Sequence, residues 1–314
     1  MDAPKRRNYA LLLREDDDAG DGASSAAAIL AATLTPPPSS IFLDVGCGSG
    51  RFLLLLARRL RRAQQQQTSA PMMMRALLET AAAATAAGTP NPPPPLLLLG
   101  IDAQPALVER ASAWARALEE DDNDASNSPA PPRCRFVAGD APRVVGALGG
   151  AGALAAASNT SLSPPTVVVG ASINFPDPVL MVLDERRRGL ADEQQQQQQR
   201  LRRCPALSED LARLLGSRMA EGAPLLVQSE CGRTAQAIVD VFSKSGALEV
   251  VLPPMPQDED DDSNDAANDP DRPSWCWPFN PLGVPTEREV YLAERLSLGD
   301  TEQGRVWRAV FRRR

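Results

Sequence analysis

A chain of 314 residues with a net charge of −7 contains five cysteines in no CxxC pair and no histidine. That argues against a zinc site and against Ser-His-Asp or Cys-His nucleophilic catalysis, both of which lean on imidazole or paired thiolates. No apolar run approaches the roughly twenty residues that span a bilayer, so no membrane association is expected. An odd, scattered set of cysteines behind a start without a signal-peptide pattern points to reduced thiols inside the cell. Cytoplasm or nucleus is expected, with plastid or mitochondrion as alternatives.

The negative charge is concentrated. Runs at 15–18, 119–124 and 258–271 hold four, five and eight acids, together 17 of the 40, which leaves 23 acids against 33 basic residues elsewhere. The basic surplus clusters at 58–62, 186–188, 200–203 and 312–314, a pattern suited to a phosphate backbone, although any one arginine run also serves as a solvated face. Segments 15–25, 64–95, 119–132, 146–165, 192–199 and 258–271 are runs of Gln, Ala, Pro, Asp or Ser. Such runs bury too little apolar surface to offset their ordering entropy. The expectation is an extension over 1–34 and a single domain over 35–314 with insertions in its loops.

Taken in chain order, the first legible unit is Ile41-Phe42-Leu43-Asp44-Val45-Gly46-Cys47-Gly48-Ser49-Gly50-Arg51. An apolar run ends in Asp44, passes three glycines and resumes as helix formers over 51–62, which reads as strand, tight turn and helix. Gly46, Gly48 and Gly50 allow a sharp turn and close approach of a ligand, and the helix start directs amide N–H groups at it. A dinucleotide fingerprint would need glycine at 51, where Arg51 stands. The Asp-Val-Gly-Cys-Gly-Ser-Gly spelling instead resembles motif I of the S-adenosylmethionine-dependent methyltransferases, which implies S-adenosyl-L-methionine as cofactor.

Four leucines then lead into Gly100-Ile101-Asp102, a buried second strand with a carboxylate at its C-terminal end. Asp102 there can accept ribose hydroxyls or cap the helix over 104–118. A third strand over 133–138 ends at Asp140 and Ala141, a fourth over 166–173 leads to Asn174, and a fifth over 223–229 follows a helix over 208–219 and ends at Glu230. Polar residues at all these strand ends fall on one edge of the sheet, where open α/β sheets bind ligands.

At Phe175-Pro176-Asp177-Pro178 the chain resembles the tRNA (guanine-N7-)-methyltransferases. Further matches follow in order: Leu201-Arg202-Arg203-Cys204-Pro205, Gln228-Ser229-Glu230, a Thr-x-x-Glu element at Thr286 and Glu289, and a closing strand over 306–312. The resemblance spans about 41–314. It departs where Val179-Leu180-Met181-Val182-Leu183 intervenes, where a histidine is missing, and where glutamines 194–199 split the basic run.

The resemblance implies an α/β, Rossmann-like, doubly wound seven-stranded methyltransferase sheet whose seventh strand is antiparallel. It implies a cofactor site at Asp44, Gly46, Gly48, Gly50, Asp102, Asp140, Ala141, Asn174 and Thr286. Asp177 is implied in catalysis, and Arg202, Arg203, Glu230, Thr286 and Glu289 in contact with substrate. The implied partners are tRNA and a WD-repeat-type accessory subunit, with no metal. The alternatives are a non-catalytic RNA-binding or partner subunit on the same scaffold, and a methyltransferase for small molecules.

Overall fold

The computed structural model describes residues 30, 33–34, 38, 40–66, 70–86, 96–122, 132–148, 166–174, 208–254, 273–297 and 306–314. In chain order the elements are β1 (Ser40–Val45), α1 (Arg51–Gln66), α2 (Met72–Ala86), β2 (Leu97–Asp102), α3 (Pro105–Asp122), β3 (Arg133–Ala138), α4 (Ala141–Leu148) and β4 (Val167–Asn174). They continue with α5 (Glu209–Arg218), β5 (Pro224–Ser229), α6 (Gly232–Lys244), β6 (Leu248–Val251), α7 (Glu287–Ser297) and β7 (Trp307–Arg313). The strands form one sheet of order β3-β2-β1-β4-β5-β7-β6. β3, β2, β1, β4 and β5 pair in parallel, whereas β7 is antiparallel to both β5 and β6. This is the expected doubly wound, seven-stranded α/β architecture, including the antiparallel last strand.

Alternation along the buried strands feeds two cores. Ile41, Leu43, Leu99, Ile173 and Leu225 point to the side covered by α4, α5 and α6, where Phe242 and Phe311 complete the packing. Phe42, Leu98, Val169 and Leu226 point to the side covered by α1, α2 and α3, together with Trp277 and Leu282. Strands buried on both faces read as continuous apolar runs, which is why the leucines before Gly100 and the valines of β4 were legible. The order of the parallel strands reverses between β1 and β4, and the C-terminal ends there open the crevice in which such sheets bind ligands.

Three expectations about the insertions need correction. Segment 64–95 is not surplus throughout. α2 lies within it, and Met73, Met74 and Leu77 are fully buried against the sheet. These three share one helix face by their spacing, an apolar stripe hidden in a segment otherwise rich in alanine and glutamine. Segments 119–132 and 146–165 also lose their first residues to helices: α3 runs to Asp122, and α4 runs to Leu148, which is buried. The extension 1–34 contributes too, because Leu30 and Leu34 are buried in the core on the α4–α6 side.

Candidate functional site

The glycine turn sits where β1 meets α1. Gly46, Gly48 and Gly50 all have positive φ, at 75°, 54° and 75°, in the left-handed region that glycine alone enters without steric cost. Their surroundings differ. A Cβ on Gly50 would stand 2.6 Å from both the Ala111 Cβ and the Phe136 ring, so this glycine lets α1 close onto α3 and β3. A Cβ on Gly48 would meet nothing within 4 Å. Gly48 is therefore the glycine that leaves space beside the turn, while Gly50 serves packing. The Gly46 and Cys47 amides both donate to the Ile101 carbonyl, at 2.8 and 3.0 Å, and fasten the turn to β2.

Asp102, at the end of β2, has two partners. Its Oδ2 accepts the Gly48 amide at 2.8 Å and its Oδ1 accepts the Gln104 amide, also at 2.8 Å. Each carboxylate oxygen has a second lone pair, so the residue organises the turn and the start of α3 and keeps acceptor capacity beside Gly48. Both roles weighed for it from sequence are thus compatible. Asp140 caps α4, accepting from the Arg143 amide (3.3 Å) through its side chain and from the Val144 amide (3.0 Å) through its carbonyl, and Ala141 is the first helical residue after it.

Asp44 is buried to 1 % exposure. Its Oδ1 accepts from Ser172 Oγ at 2.7 Å and Asn174 Nδ2 at 2.9 Å, both from the adjacent β4. Burial raises its pKa from the usual 3.8 to about 7; the bonds from Ser172 and Asn174 pull the other way, and nearby Asp102 adds a smaller push upward. Burial, with Asp44 and Asp102 nearby, likewise pushes the Cys47 thiol well above its ordinary value.

Thr286 and Glu289 form a capping box at the start of α7. The Glu289 amide donates to Thr286 Oγ1 at 3.1 Å, and Glu289 Oε2 accepts the Thr286 amide at 2.7 Å. The Glu289 carboxylate is also gripped by Arg308, with Nε at 3.2 Å and Nη2 at 2.9 Å, and by Asn280 Nδ2 at 3.1 and 3.2 Å. With its amide turned to face this group, the fully buried Gln228 donates to Glu289 at 3.1 Å and accepts from Asn280 at 3.2 Å. Glu289 is thereby saturated by the protein itself. Gln228 lies opposite Asn174 in β4 on one side and Arg308 in β7 on the other. One polar seam therefore runs along the sheet edge from Asp44 through Asn174 and Gln228 to Arg308.

Glu230, just beyond β5, pairs with Arg288, whose guanidinium lies 5.0 Å over the Tyr291 ring. Glu287 pairs with Arg51 at 3.6 Å, so the first turn of α7 contacts both the end of β5 and the start of α1. The structure thus brings Asp44, Gly48, Asp102, Asp140, Asn174, Glu230 and Glu289 to one sheet edge. Asp177, Arg202 and Arg203 lie outside the described residues.

Sequence reasoning gave no site role to Ser172, Asn280 or Arg308, and named Gln228 only within its strand-end match. The one available signal was the polar Gln228 closing an otherwise apolar strand. No group of three or more His, Cys, Asp or Glu among the described residues is placed to hold a metal ion. No described helix is long and apolar enough to cross a membrane.

No protein-family model and no curated protein sequence matches the chain. Several solved structures are similar at low identity. An aminoglycoside resistance methyltransferase, NpmB1, is 14% identical over 87% of each chain with a TM-score of 0.37. The N-methyltransferase NodS from Bradyrhizobium japonicum WM9, solved with S-adenosyl-L-homocysteine, is 13% identical over 98% of each chain with a TM-score of 0.33. The [4+2]-cyclase SpnF is 12% identical over 96% of this chain and 85% of its own, with a TM-score of 0.34. One fold hosts many chemistries, and activity resides in the site.

Proposed function

We propose that this chain transfers the methyl group of S-adenosyl-L-methionine to N7 of a guanine in tRNA. The observation that carries the cofactor half is the pairing of Gly48 with Asp102. A positive-φ glycine with open space beside it stands 2.8 Å from a strand-end carboxylate that keeps a lone pair on each oxygen. This fits a nucleoside cofactor: Asp102 would hold the ribose hydroxyls, the glycine turn the methionine portion, and the end of β3 at Asp140 and Ala141 the adenine. When bound, the cofactor supplies an electrophilic methyl on sulfonium.

The substrate half rests on the ordered resemblance, from Phe175-Pro176-Asp177-Pro178 through Thr286, Glu289 and the last strand. Guanine N7 carries a lone pair and no proton, so the nucleophile needs no general base, and the absence of histidine is no obstacle. The protein's task is positioning of a flipped base in line with the methyl group. Asp177 would accept from the guanine N1–H and amine and favour the positive charge that develops on the ring. Arg202 and Arg203 would meet phosphates, with Glu230 beside the base. A WD-repeat-type subunit that presents the tRNA belongs to this reading.

A second reading, a non-catalytic RNA-binding subunit on the same scaffold, is favoured by one observation. Glu289 spends its hydrogen-bonding capacity on the Thr286 amide, Asn280 and Arg308, and Thr286 Oγ1 accepts the Glu289 amide. Incubation with methyl-labelled cofactor and bulk tRNA, followed by nucleoside analysis, tests the proposal. Label in 7-methylguanosine supports it. Cofactor binding without transfer to any tRNA supports the second reading.

A further inference from the structure

α7 begins at the sheet edge that carries the glycine turn, and two ion pairs fix where it sits. Glu287 pairs at 3.6 Å with Arg51, the residue after Gly50, and Arg288 pairs with Glu230, just past the end of β5. β1 lies beside β4 and β4 beside β5, so two strand spacings, about 10 Å, separate the β1 and β5 ends of that edge. Arg288 therefore stands beside the glycine turn rather than on a remote face.

Its guanidinium is oriented from two sides. Arg288 Nε donates to Glu230 Oε2 at 2.6 Å, and Nη2 contacts the same oxygen. Cζ lies over the Tyr291 ring, 5.0 Å from its centroid, since residues three apart on a helix share a face. The group is open to solvent: the Arg288 side chain is 41 % exposed and Tyr291 44 % exposed, whereas the anchoring Glu230 side chain is 18 % exposed. A partly exposed ion pair contributes little to stability, and a ring left this open forgoes much of the burial through which aromatics stabilise a fold. A fixed, accessible cation on an aromatic ring at the edge of the site suits recognition better than folding.

A guanidinium is flat and permanently charged, and it stacks on aromatic rings and on nucleobases alike. We propose that Arg288, backed by Tyr291 and held by Glu230, is a stacking platform for the unpaired nucleobase next to the guanine that receives the methyl group. Flipping a target base out of its stack leaves its neighbour without a partner. A planar cation on an aromatic ring supplies one, with little regard to which base it is. The inference rests on the RNA reading above and deepens it. Arg288 touches the base, while Tyr291 and Glu230 act through Arg288 as positioning residues.

The test is binding of an unmodified tRNA transcript to the full chain, followed by fluorescence anisotropy at several salt concentrations. Arg288→Ala and Tyr291→Ala should each weaken RNA binding about tenfold, within the range for loss of one base stack. S-adenosyl-L-methionine affinity and the thermal melt should stay as in wild type. Tyr291→Phe should bind RNA as wild type does, because the ring backs the guanidinium. Tyr291→Ala should leave the salt slope unchanged, since no phosphate contact is lost. Arg288→Lys keeps the charge and loses the plane, so it should fall with the alanine variant. Should an alanine variant melt early, Glu230→Gln loosens the guanidinium without removing it and should also weaken RNA binding; wild-type affinity there overturns the inference. Full affinity in Arg288→Lys, which marks a phosphate contact, or unchanged affinity in either alanine variant overturns the platform and leaves methyl transfer to tRNA standing. A wild type that neither binds nor methylates any tRNA overturns the RNA reading and the platform with it.

Discussion

Asp102 Oδ2 accepts the Gly48 amide at 2.8 Å, joining the end of β2 to the glycine turn across 54 positions of sequence. A single carboxylate thus sets the turn's shape and faces the space beside it. Asp102→Ala should weaken S-adenosyl-L-methionine binding by about 1.5–3 kcal/mol, the scale of a charge-assisted hydrogen bond. Calorimetry on the folded variant measures it. Unchanged affinity would remove Asp102 from the cofactor site.

Gly48 and Gly50 should fail in different ways. Gly50→Ala forces a Cβ to 2.6 Å from Ala111 and Phe136, so overpacking of about 1–3 kcal/mol adds to the left-handed backbone cost of about 1–2 kcal/mol. Gly48→Ala incurs only the backbone cost, because nothing stands in its way. Denaturant melts should therefore show the larger loss for Gly50→Ala. Gly48→Ala should instead stay folded and lose cofactor affinity, as its methyl occupies the space beside the turn. The reverse ranking in the melts would contradict this division of roles.

Glu289 and Arg308 are a buried pair, with side-chain exposures of 8 % and 13 %. Removing one partner leaves the other charge buried, so Arg308→Ala should cost about 3–5 kcal/mol. Replacing both by apolar residues of similar volume should cost much less than that single change. A double-mutant cycle by chemical denaturation checks the coupling. Additive losses would mean that the pair is screened by solvent.

Asp44 links stability to pH in an unusual direction for a carboxyl. Its folded pKa of about 7 lies above the ordinary 3.8, so between these values the folded state holds a proton that the unfolded state has lost. Its contribution is greatest below about pH 4. It falls by about 1.4 kcal/mol per pH unit as pH rises toward 7 and is flat above that. Subtracting the stability of Asp44→Asn from that of wild type at each pH isolates the effect. A difference that stays flat over this window would show that the carboxyl ionises with its ordinary pKa or below it.

Asp177→Asn should leave S-adenosyl-L-methionine affinity nearly intact while lowering turnover on tRNA by about tenfold or more, since its proposed partner is the base. Cofactor calorimetry and single-turnover methylation, run on the same preparation, separate the two effects. Equal loss of both would make Asp177 a structural residue between its prolines.

The apolar runs at β1, β2 and β4 and the glycine spacing after Asp44 were enough to place a doubly wound sheet. In a parallel sheet each strand is buried on both faces, so its identity is written locally in consecutive residues. The C-terminal ends of the five parallel strands likewise marked Asp44, Asp102, Asp140, Asn174 and Glu230 as neighbours on one sheet edge. α2 escaped notice because its buried face is three residues, Met73, Met74 and Leu77, in a segment whose composition otherwise resembles an insertion.

What sequence could not determine is the state of each polar group, because that depends on partners far along the chain. Asp44 is 128 and 130 positions from Ser172 and Asn174, and Asp102 is 54 from Gly48. Glu289 reads from sequence as one half of a short Thr-x-x-Glu element. Tertiary structure adds Arg308, Asn280 and Gln228 around it. Local pattern determines where a strand ends. Only packing decides whether the carboxylate at that end meets water, a cation or a neutral donor, and its charge follows from that environment.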